Sequence, residues 1–303
     1  MNGYLTKRQQ AGLTLVELMV AIVLSMLLML GVIQIFLGSK ATYVSNQELS
    51  QVQESGRFAV ELLSRDIRNA GYTGQCFGQT ESHVAGGKFW SRAEGPILGW
   101  KAGEAPAFVG AGGAEGLFIQ FAVGDGIHFV GASTNTAANS KIEWSAGVSS
   151  SLKENTVAVI ADGLGCDLFK VAAVTDNSIT KDGASDWSHD YQSDFELLGF
   201  SSVAYYVKDD GGTPTLFRTY FDHSLSSKNS HALVAGVESI SLEYGISNNQ
   251  TDLSKVAIKE YVAADEVTNW ESVLAVRLVL NVKSSSGLEK EFSTLVGLRN
   301  RLP

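Results

Sequence analysis

Hydrophobic residues are concentrated at the start of this chain, in an almost unbroken run from residue 9 to residue 37. The run is about as long as a bilayer is thick, because a spanning helix needs roughly 20 mostly apolar residues. Residues 13–37 therefore predict a transmembrane helix that is apolar on every side. Such a helix needs lipid or other helices to cover it.

Helical spacing continues beyond this run, but on one face only. No proline occurs between residues 13 and 70, and Gly71 is a suitable stop after the last turn. We therefore predict a single helix in which residues 38–71 form the amphipathic half. The alternative is two helices that are broken near Gly31 or Gly38. The apolar positions at steps of three or four are Leu49, Val52, Gly56, Ala59, Leu63 and Ile67.

The remainder of the chain, residues 72–303, contains short runs rich in Val, Ile and Phe that predict β-strands. The sequence Asp-Asp-Gly-Gly-Thr-Pro at residues 209–214 indicates a hairpin turn between two of them. Closely spaced hairpins after one long helix predict an α+β fold, in which an antiparallel sheet domain wraps a helical stem. The predicted strands lie at residues 117–123, 156–161, 168–174, 202–208, 215–220, 232–244, 273–283 and 288–298.

Two stretches interrupt the strand pattern. Residues 245–270 are polar, while residues 86–116 hold nine glycines and predict loops with at most a short strand around residues 89–90. Trp90 and Trp100 lie in the glycine-rich stretch. A tryptophan in such a loop more often closes the edge of a core, and an exposed surface for adhesion or partner binding is the alternative.

Composition and charge narrow the functional classes. With 303 residues, of which 45% are hydrophobic, the chain is large enough to bury a core of one or two domains. Its net charge of −9 disfavours nucleic-acid binding, because affinity for phosphates comes mainly from clustered Lys and Arg. Lys7 and Arg8 precede the apolar run and predict a cytoplasmic N-terminus. The residues after about 38 then lie outside, in an oxidising compartment.

The predicted oxidising compartment of the C-terminal part indicates the state of its two cysteines. Cys76 and Cys166 are too far apart in the sequence for a CxxC redox or zinc motif. In an oxidising compartment a disulfide is favoured, and two buried free thiols are the alternative. The loop-entropy model gives a disulfide of this span a stabilisation of roughly 4 kcal/mol.

Glu17 places a carboxylate inside the leading end of the apolar run. A charged side chain costs about 2.5–3.5 kcal/mol at the centre of a membrane helix and less near its end, so this acid requires a compensating partner. The run is too long for a secretory signal, and no convincing Ala-x-Ala site follows it. Cleavage before the run, between Gly12 and Leu13, would instead create a charged amine four residues ahead of Glu17.

Residues 11–17, Ala-Gly-Leu-Thr-Leu-Val-Glu, resemble the class III signal of type IV prepilins and pseudopilins. The resemblance implies that a prepilin peptidase removes the leader, residues 1–12, and that Leu13 is N-methylated. It also implies that Glu17 meets the terminal amine of a neighbouring subunit in the filament. Leu13 replaces the commonest residue, phenylalanine, but keeps its bulk and apolar character. The alternative is a plain membrane anchor with an incidental glutamate.

Three further segments resemble the PilW family of minor pilins, which is related to the J-type minor pseudopilins of type II secretion. This resemblance implies a pilin-like fold, with the long N-terminal helix packed on an antiparallel sheet domain. The segments are RFAVELLSRDIRNAGYTGQC at residues 57–76, NTVAVIADGLGCDLFKVAAV at residues 155–174 and LRNRLP at residues 298–303.

The same resemblance implies a structural subunit that helps to start or cap assembly of a type IV pilus used in adhesion and twitching motility. The implied partners are other minor pilins, the major pilin, a tip adhesin, the prepilin peptidase and methylase, the inner-membrane assembly platform and, before assembly, membrane lipid. The implied location is a single span in the inner membrane with a periplasmic C-terminal domain. After assembly the subunit would be extracellular, at or near the pilus tip.

No catalytic motif is recognisable in the sequence, so we expect a protein that is not an enzyme and needs no cofactor or metal. The histidines have no spacing typical of metal ligands, and isolated histidines in loops are mostly solvated. They are His83, His128, His189, His223 and His231.

The most site-like segment is residues 176–196, which contains four aspartates at intervals of four. On a helix they would share one face and repel each other unless a cation such as calcium bound them. We favour a solvated acidic loop, with calcium binding as the minor alternative. The four residues are Asp182, Asp186, Asp190 and Asp194.

Three rival functions remain at this point. Within the same class, the chain could be a J-type minor pseudopilin of a type II secretion system. From other classes, it could be a membrane-tethered periplasmic enzyme with an unrecognised site, or an adhesin that binds surfaces directly through Trp90, Trp100 and the glycine-rich loops.

Overall fold

The structure of the chain is a computed structural model. It describes residues 12, 14–76, 80–84, 95–110, 114–129, 138, 140–144, 152–183, 185–191, 194–221, 228–248 and 256–299. The chain divides into two compact units, Met1–Gln51 and Val52–Pro303. The helical part of the first unit and the α+β second unit are described separately below.

A single long helix, α1, runs from Leu15 to Asn69. The predicted continuous helix is therefore confirmed, and the alternative of a break near Gly31 or Gly38 is wrong. The Thr14 hydroxyl accepts a hydrogen bond from the Glu17 backbone N–H at 3.3 Å, which caps the start of the helix. Gly71, with a φ of 77°, lies just beyond the end, where a left-handed residue commonly terminates a helix.

The second unit is built mainly of β-strands. Within the described ranges there are fourteen strands, joined near the C-terminal end by two short 3-10 turns, Ala264–Glu266 and Trp270–Ser272. The strands are β1 Thr80–Ser82, β2 Ile97–Trp100, β3 Gly116–Phe129, β4 Lys141–Glu143, β5 Val157–Ala161, β6 Cys166–Thr175, β7 Ser178–Lys181, β8 Phe195–Asp210, β9 Thr213–Phe221, β10 Lys228–Ala235, β11 Val237–Ser247, β12 Ile258–Val262, β13 Val273–Lys283 and β14 Glu289–Gly297.

These strands form two sheets. The larger has ten strands, with the path β10-β9-β8-β5-β6-β7-β4, and with β3 pairing both β2 and β8. The smaller has the order β12-β11-β13-β14. All pairings are antiparallel except that of β1, which lies parallel to β6. The predicted α+β class is confirmed.

The core of the second unit lies between the last part of α1 and the two sheets. Val52, Ala59, Leu63 and Ile67 are buried along one face of the helix, as the apolar spacing predicts. They pack in one cluster with residues of both sheets. Gly56 lies on this face opposite the ring of Phe292 in β14, so close that an added Cβ would collide with the ring.

The predicted strand at residues 232–244 is wrong in one respect, because the structure divides it between two sheets. β10 ends at Ala235 and β11 begins at Val237. Gly236 joins them with a φ of 82°, which residues with a side chain rarely adopt. Its N–H donates to the Pro214 carbonyl and its carbonyl accepts from the Lys283 N–H, both at 2.8 Å. The apolar pattern continues through this point and therefore hides the change of sheet.

Two stretches that interrupt the predicted strand pattern contain strands. β2, Ile97–Trp100, lies in the glycine-rich stretch and pairs with β3. β12, Ile258–Val262, lies in the polar stretch and is an edge strand of the smaller sheet. Lys259 and Glu260 in the middle of β12 are exposed and polar, and this weakens the sequence signal for a strand. The short strand predicted at residues 89–90 lies outside the described residues.

Candidate functional site

The first part of α1 presents a long apolar surface. All side chains from Leu15 to Leu37 are exposed within the first unit, including Leu15 at 76% and Phe36 at 66%. In the described part of the chain, this helix alone is long and apolar enough to cross a membrane. Its exposed surface can therefore be covered by lipid or by other apolar helices.

The residues predicted to govern processing lie directly before this surface. Gly12 is exposed, and a Cβ added to it would meet nothing within 4 Å. Leu13, the predicted N-methylation site, lies outside the described residues. Glu17 is exposed in the first turn of α1. The structure thus places Glu17 where a group from another molecule can reach it.

Glu17 also gains stabilisation from its own helix, which the sequence interpretation missed. An acidic residue in the first turn interacts favourably with the positive end of the helix dipole, by about 0.3–1 kcal/mol at exposed sites. The pattern Thr14-x-x-Glu17 is the known signature of a helix start and could have indicated this location. This stabilisation by the helix dipole is smaller than the cost of placing a charge within a bilayer. Glu17 therefore still requires a further partner.

A buried ionic cluster joins the C-terminal part of α1 to the larger sheet. Asp66 accepts hydrogen bonds from the Tyr205 hydroxyl at 2.5 Å and from Arg218 at 2.7 Å. Its side chain is 8% exposed and that of Arg218 is 19% exposed. Burial, followed by the negative charge of Asp66, raises the pKa of Tyr205 and keeps its hydroxyl a donor. Asp66 lies three residues after Leu63, in phase with the apolar stripe, which could have marked it as buried.

A disulfide links Cys76 to Cys166, the pair predicted from the sequence. Cys76 follows the end of α1, whereas Cys166 begins β6 in the larger sheet. The neighbouring backbone is fixed as well, since the Gln75 N–H donates to the Glu196 carboxylate at 3.1 Å. The chain leaving the helix is thus tied to the sheet by covalent and polar contacts.

The interpretation of the histidines as solvated side chains is wrong for two of them. Nε2 of His83 lies 2.6 Å from Oδ1 of Asp167, and Nε2 of His189 lies 2.8 Å from Oδ2 of Asp162. The His83 side chain is 7% exposed. His231 is exposed, as predicted, and the side chains of His128 and His223 lie outside the described residues.

Asp167 is fully buried and is the centre of a polar cluster. Its Oδ2 accepts hydrogen bonds from the Ser188 hydroxyl and the Tyr191 hydroxyl, each at 2.7 Å. Burial raises the pKa of Asp167, but hydrogen bonds from His83, Tyr191 and Ser188 outweigh that effect and hold the pKa below its usual value. The carboxyl is therefore a charged acceptor that fixes the chain between β7 and β8.

The acidic segment is not helical, so its aspartates do not share a helix face. It contains β7, the chain that follows, and the first residues of β8. Asp182 accepts a hydrogen bond from Lys170 at 3.0 Å, and the buried Lys181 ammonium donates to the Ser185 carbonyl. The four aspartates, Asp182, Asp186, Asp190 and Asp194, are all exposed, as expected of a solvated acidic segment, although the segment includes β7 and the start of β8 and is not a loop throughout.

The tryptophan of the glycine-rich stretch that the structure describes belongs to the core. Trp100 is 3% exposed, and its Nε1 donates to the Ala114 carbonyl at 2.9 Å. This confirms the favoured interpretation and excludes Trp100 from an exposed adhesive surface. Trp90 lies outside the described residues.

The sequence was compared with known families and proteins. Residues 204–300, about the last third of the chain, match the family described as Type IV Pilus-assembly protein W. Residues 7–33 match the Prokaryotic N-terminal methylation motif, which covers the predicted cleavage position and most of the apolar run. No curated protein and no solved structure matches the chain. The two matches, together with the long apolar helix and the antiparallel sheets, support a type IV pilus-associated pilin whose last third is similar to the PilW family.

Proposed function

We propose that the protein is a minor pilin that helps to initiate or cap the type IV pilus, and that Glu17 docks its helix against a neighbouring subunit. The single observation that carries the proposal is the exposed apolar surface of α1 with a carboxylate in its first turn, most of which lies within the match to the methylation motif. An apolar helix of this kind is stable in lipid and equally stable among similar helices.

The helix serves in two successive environments. The apolar helix and the methylation motif anchor the chain in the membrane. Removal of residues 1–12 then exposes the amine of Leu13, which is methylated. In the filament this amine of one subunit and the Glu17 carboxylate of its neighbour form an ion pair of low exposure. Ion pairs gain strength where water is excluded, so the pair favours the assembled helices over the free helix in lipid.

The PilW match and the methylation motif imply interaction with pilus components and with the prepilin peptidase. We propose that these components are other minor pilins, the major pilin, a tip adhesin and the inner-membrane assembly platform. The second unit would lie in the periplasm before assembly and at or near the pilus tip afterwards. Its role in this proposal is to select partners, not to catalyse a reaction. The PilW match favours the pilus over a type II secretion pseudopilus.

Replacing Glu17 with alanine tests the docking step. We expect the variant to insert into the membrane at least as well as the wild type, because a charge is lost from the apolar segment. We expect at least a tenfold fall in the amount recovered in sheared pili, measured by immunoblot against the membrane fraction.

The matched control for this variant is Thr14→Ala. It removes the hydroxyl that caps the helix, worth about 1 kcal/mol, but leaves the carboxylate in place. Pilus incorporation should then stay near the wild-type amount. Equal incorporation of the Glu17→Ala variant and the wild type, or equal losses in the two variants, would contradict a docking role for the carboxylate.

Replacing Gly12 with valine tests the processing step. Since an added Cβ at Gly12 meets nothing within 4 Å, the change should affect recognition by the peptidase and leave the fold unaltered. We expect intact-mass spectrometry to show a chain that retains residues 1–12 and lacks N-methylation. Gly31→Ala, also in open space, should be processed normally. Normal trimming of the Gly12 variant would rule out cleavage at this position.

A further inference from the structure

A cluster of three potential metal ligands lies on the sheet domain, outside α1. β1 runs parallel to β6 with Glu81 opposite Asp167. His83 lies two residues after Glu81 and so points to the same face of the extended chain. Within the described residues these three form a group whose ligand atoms all lie within 4.8 Å of one another.

We propose that Glu81, His83 and Asp167 bind a divalent transition-metal ion of the zinc type. The ion would lie between Nε2 of His83 and Oδ1 of Asp167, with the Glu81 carboxylate as third ligand and water as the fourth. One imidazole with two carboxylates suits zinc better than calcium, which prefers oxygen ligands alone. The two carboxylates neutralise the charge of the ion.

The distances allow an ion with a small adjustment. Nε2 of His83 and Oδ1 of Asp167 are 2.6 Å apart, as in a hydrogen bond. Two tetrahedral zinc ligands are about 3.4 Å apart, given zinc bonds of about 2.1 Å. The ion would take the place of the hydrogen between them, and the ring hydrogen would then lie on Nδ1.

The atoms that would not bind the ion already have the partners expected around a metal site. Nδ1 of His83 lies 2.9 Å from the Ser185 hydroxyl, which can accept the ring hydrogen. Oδ2 of Asp167 accepts hydrogen bonds from Ser188 and Tyr191, while Oδ1 faces His83 and also accepts from the Ser188 N–H at 3.3 Å. Such outer partners fix the orientation of metal ligands and raise affinity.

The site is also accessible to an ion from solution. Glu81 is exposed, while His83 and Asp167 lie beneath it with side chains 7% and 0% exposed. The nearby ammonium of Lys181 donates to Ser185 instead of occupying the ligand positions. A bound ion would tie β1 to β6 beside the disulfide, since Asp167 directly follows Cys166.

A second histidine and aspartate pair offers a matched control. His189 and Asp162 are 2.8 Å apart, but among the described residues no third ligand completes this pair into a comparable group. The other oxygen of Asp162 accepts from the Leu164 and Gly165 N–H groups at 2.8 and 3.0 Å. The His189→Gln variant therefore removes a similar hydrogen bond without removing a proposed ligand.

The experiment uses the full chain in detergent, stripped with a chelator and titrated with Zn²⁺ against a chromophoric competitor. We expect one Zn²⁺ per chain at micromolar concentration and a rise in melting temperature. Glu81→Gln and His83→Gln should each weaken binding at least tenfold, the lower limit for loss of even an outer partner. His189→Gln should leave affinity within twofold, and millimolar Ca²⁺ should not displace Zn²⁺.

The exposed Glu81 keeps the test decisive if the His83 variant fails to fold. Three results would each overturn the proposal. The first is no Zn²⁺ binding at roughly 100 µM, taken as the weakest relevant affinity. The others are unchanged affinity in Glu81→Gln and equal losses of affinity in Glu81→Gln and His189→Gln. Displacement of Zn²⁺ by Ca²⁺ would overturn the zinc assignment as well. None of these outcomes concerns pilus incorporation, so the proposed role in pilus assembly is tested independently of the metal site.

Discussion

Replacing Asp66 with alanine is expected to destabilise the second unit by about 3–5 kcal/mol, the usual loss when one partner of a buried ion pair is removed. Asp66 is the acceptor for both Arg218 and the Tyr205 hydroxyl. Without it, the arginine is left with a buried charge and the hydroxyl with no acceptor at that position. Among the described residues, Nε of Arg218 has no hydrogen-bond partner, so few alternatives exist there for this side chain.

Denaturant unfolding of the full chain in detergent, followed by the fluorescence of its tryptophans, measures this loss. Glu61→Ala is the matched control, because Glu61 is an exposed acid on the same helix. The control should change the free energy of unfolding by less than about 0.5 kcal/mol. A loss below about 1 kcal/mol in the Asp66 variant would show that the cluster does not join helix and sheet energetically.

Removing both cysteines, as Cys76→Ala with Cys166→Ala, is expected to lower the free energy of unfolding by roughly 4–5 kcal/mol in the loop-entropy model. The large value follows from the sequence separation of 90 residues, because the cross-link restricts the unfolded chain in proportion to the logarithm of loop length. The same unfolding measurement, performed with and without a thiol reductant, gives the comparison.

Reductant serves as the internal control for this prediction. It should destabilise the wild type by nearly the same amount as the double substitution and should leave the double variant unchanged. If the wild type with an intact disulfide and the double variant unfold at the same denaturant concentration, the predicted contribution of the cross-link is wrong.

The local features of the fold could be predicted from the sequence. The helix follows from apolar spacing and from the lack of proline, and its end at Asn69 lies two residues from the predicted end at residue 71. Most strands were located within a few residues because Val, Ile and Phe runs reflect burial on a pleated sheet. The change of sheet at Gly236 could not be predicted, since the apolar pattern is the same on both sides of it.

The polar contacts, in contrast, could not be predicted from the sequence. His83 and Asp167 are 84 residues apart, and Asp66 and Tyr205 are 139 residues apart, so no local spacing reports either pair. Their partners are set by strand register, which depends on the whole sheet. Two signals were nonetheless present in the sequence: an acid in phase with the apolar stripe at Asp66, and the cap pattern from Thr14 to Glu17.

The disulfide also determines how the molecule would respond to tension. A force applied between the N-terminal helix and the C-terminus reaches Cys76 soon after the helix ends. From there the load passes through the sulfur atoms directly to β6. Residues 77–165 are therefore excluded from the stretched path, and only a covalent rupture or chemical reduction could make them extend.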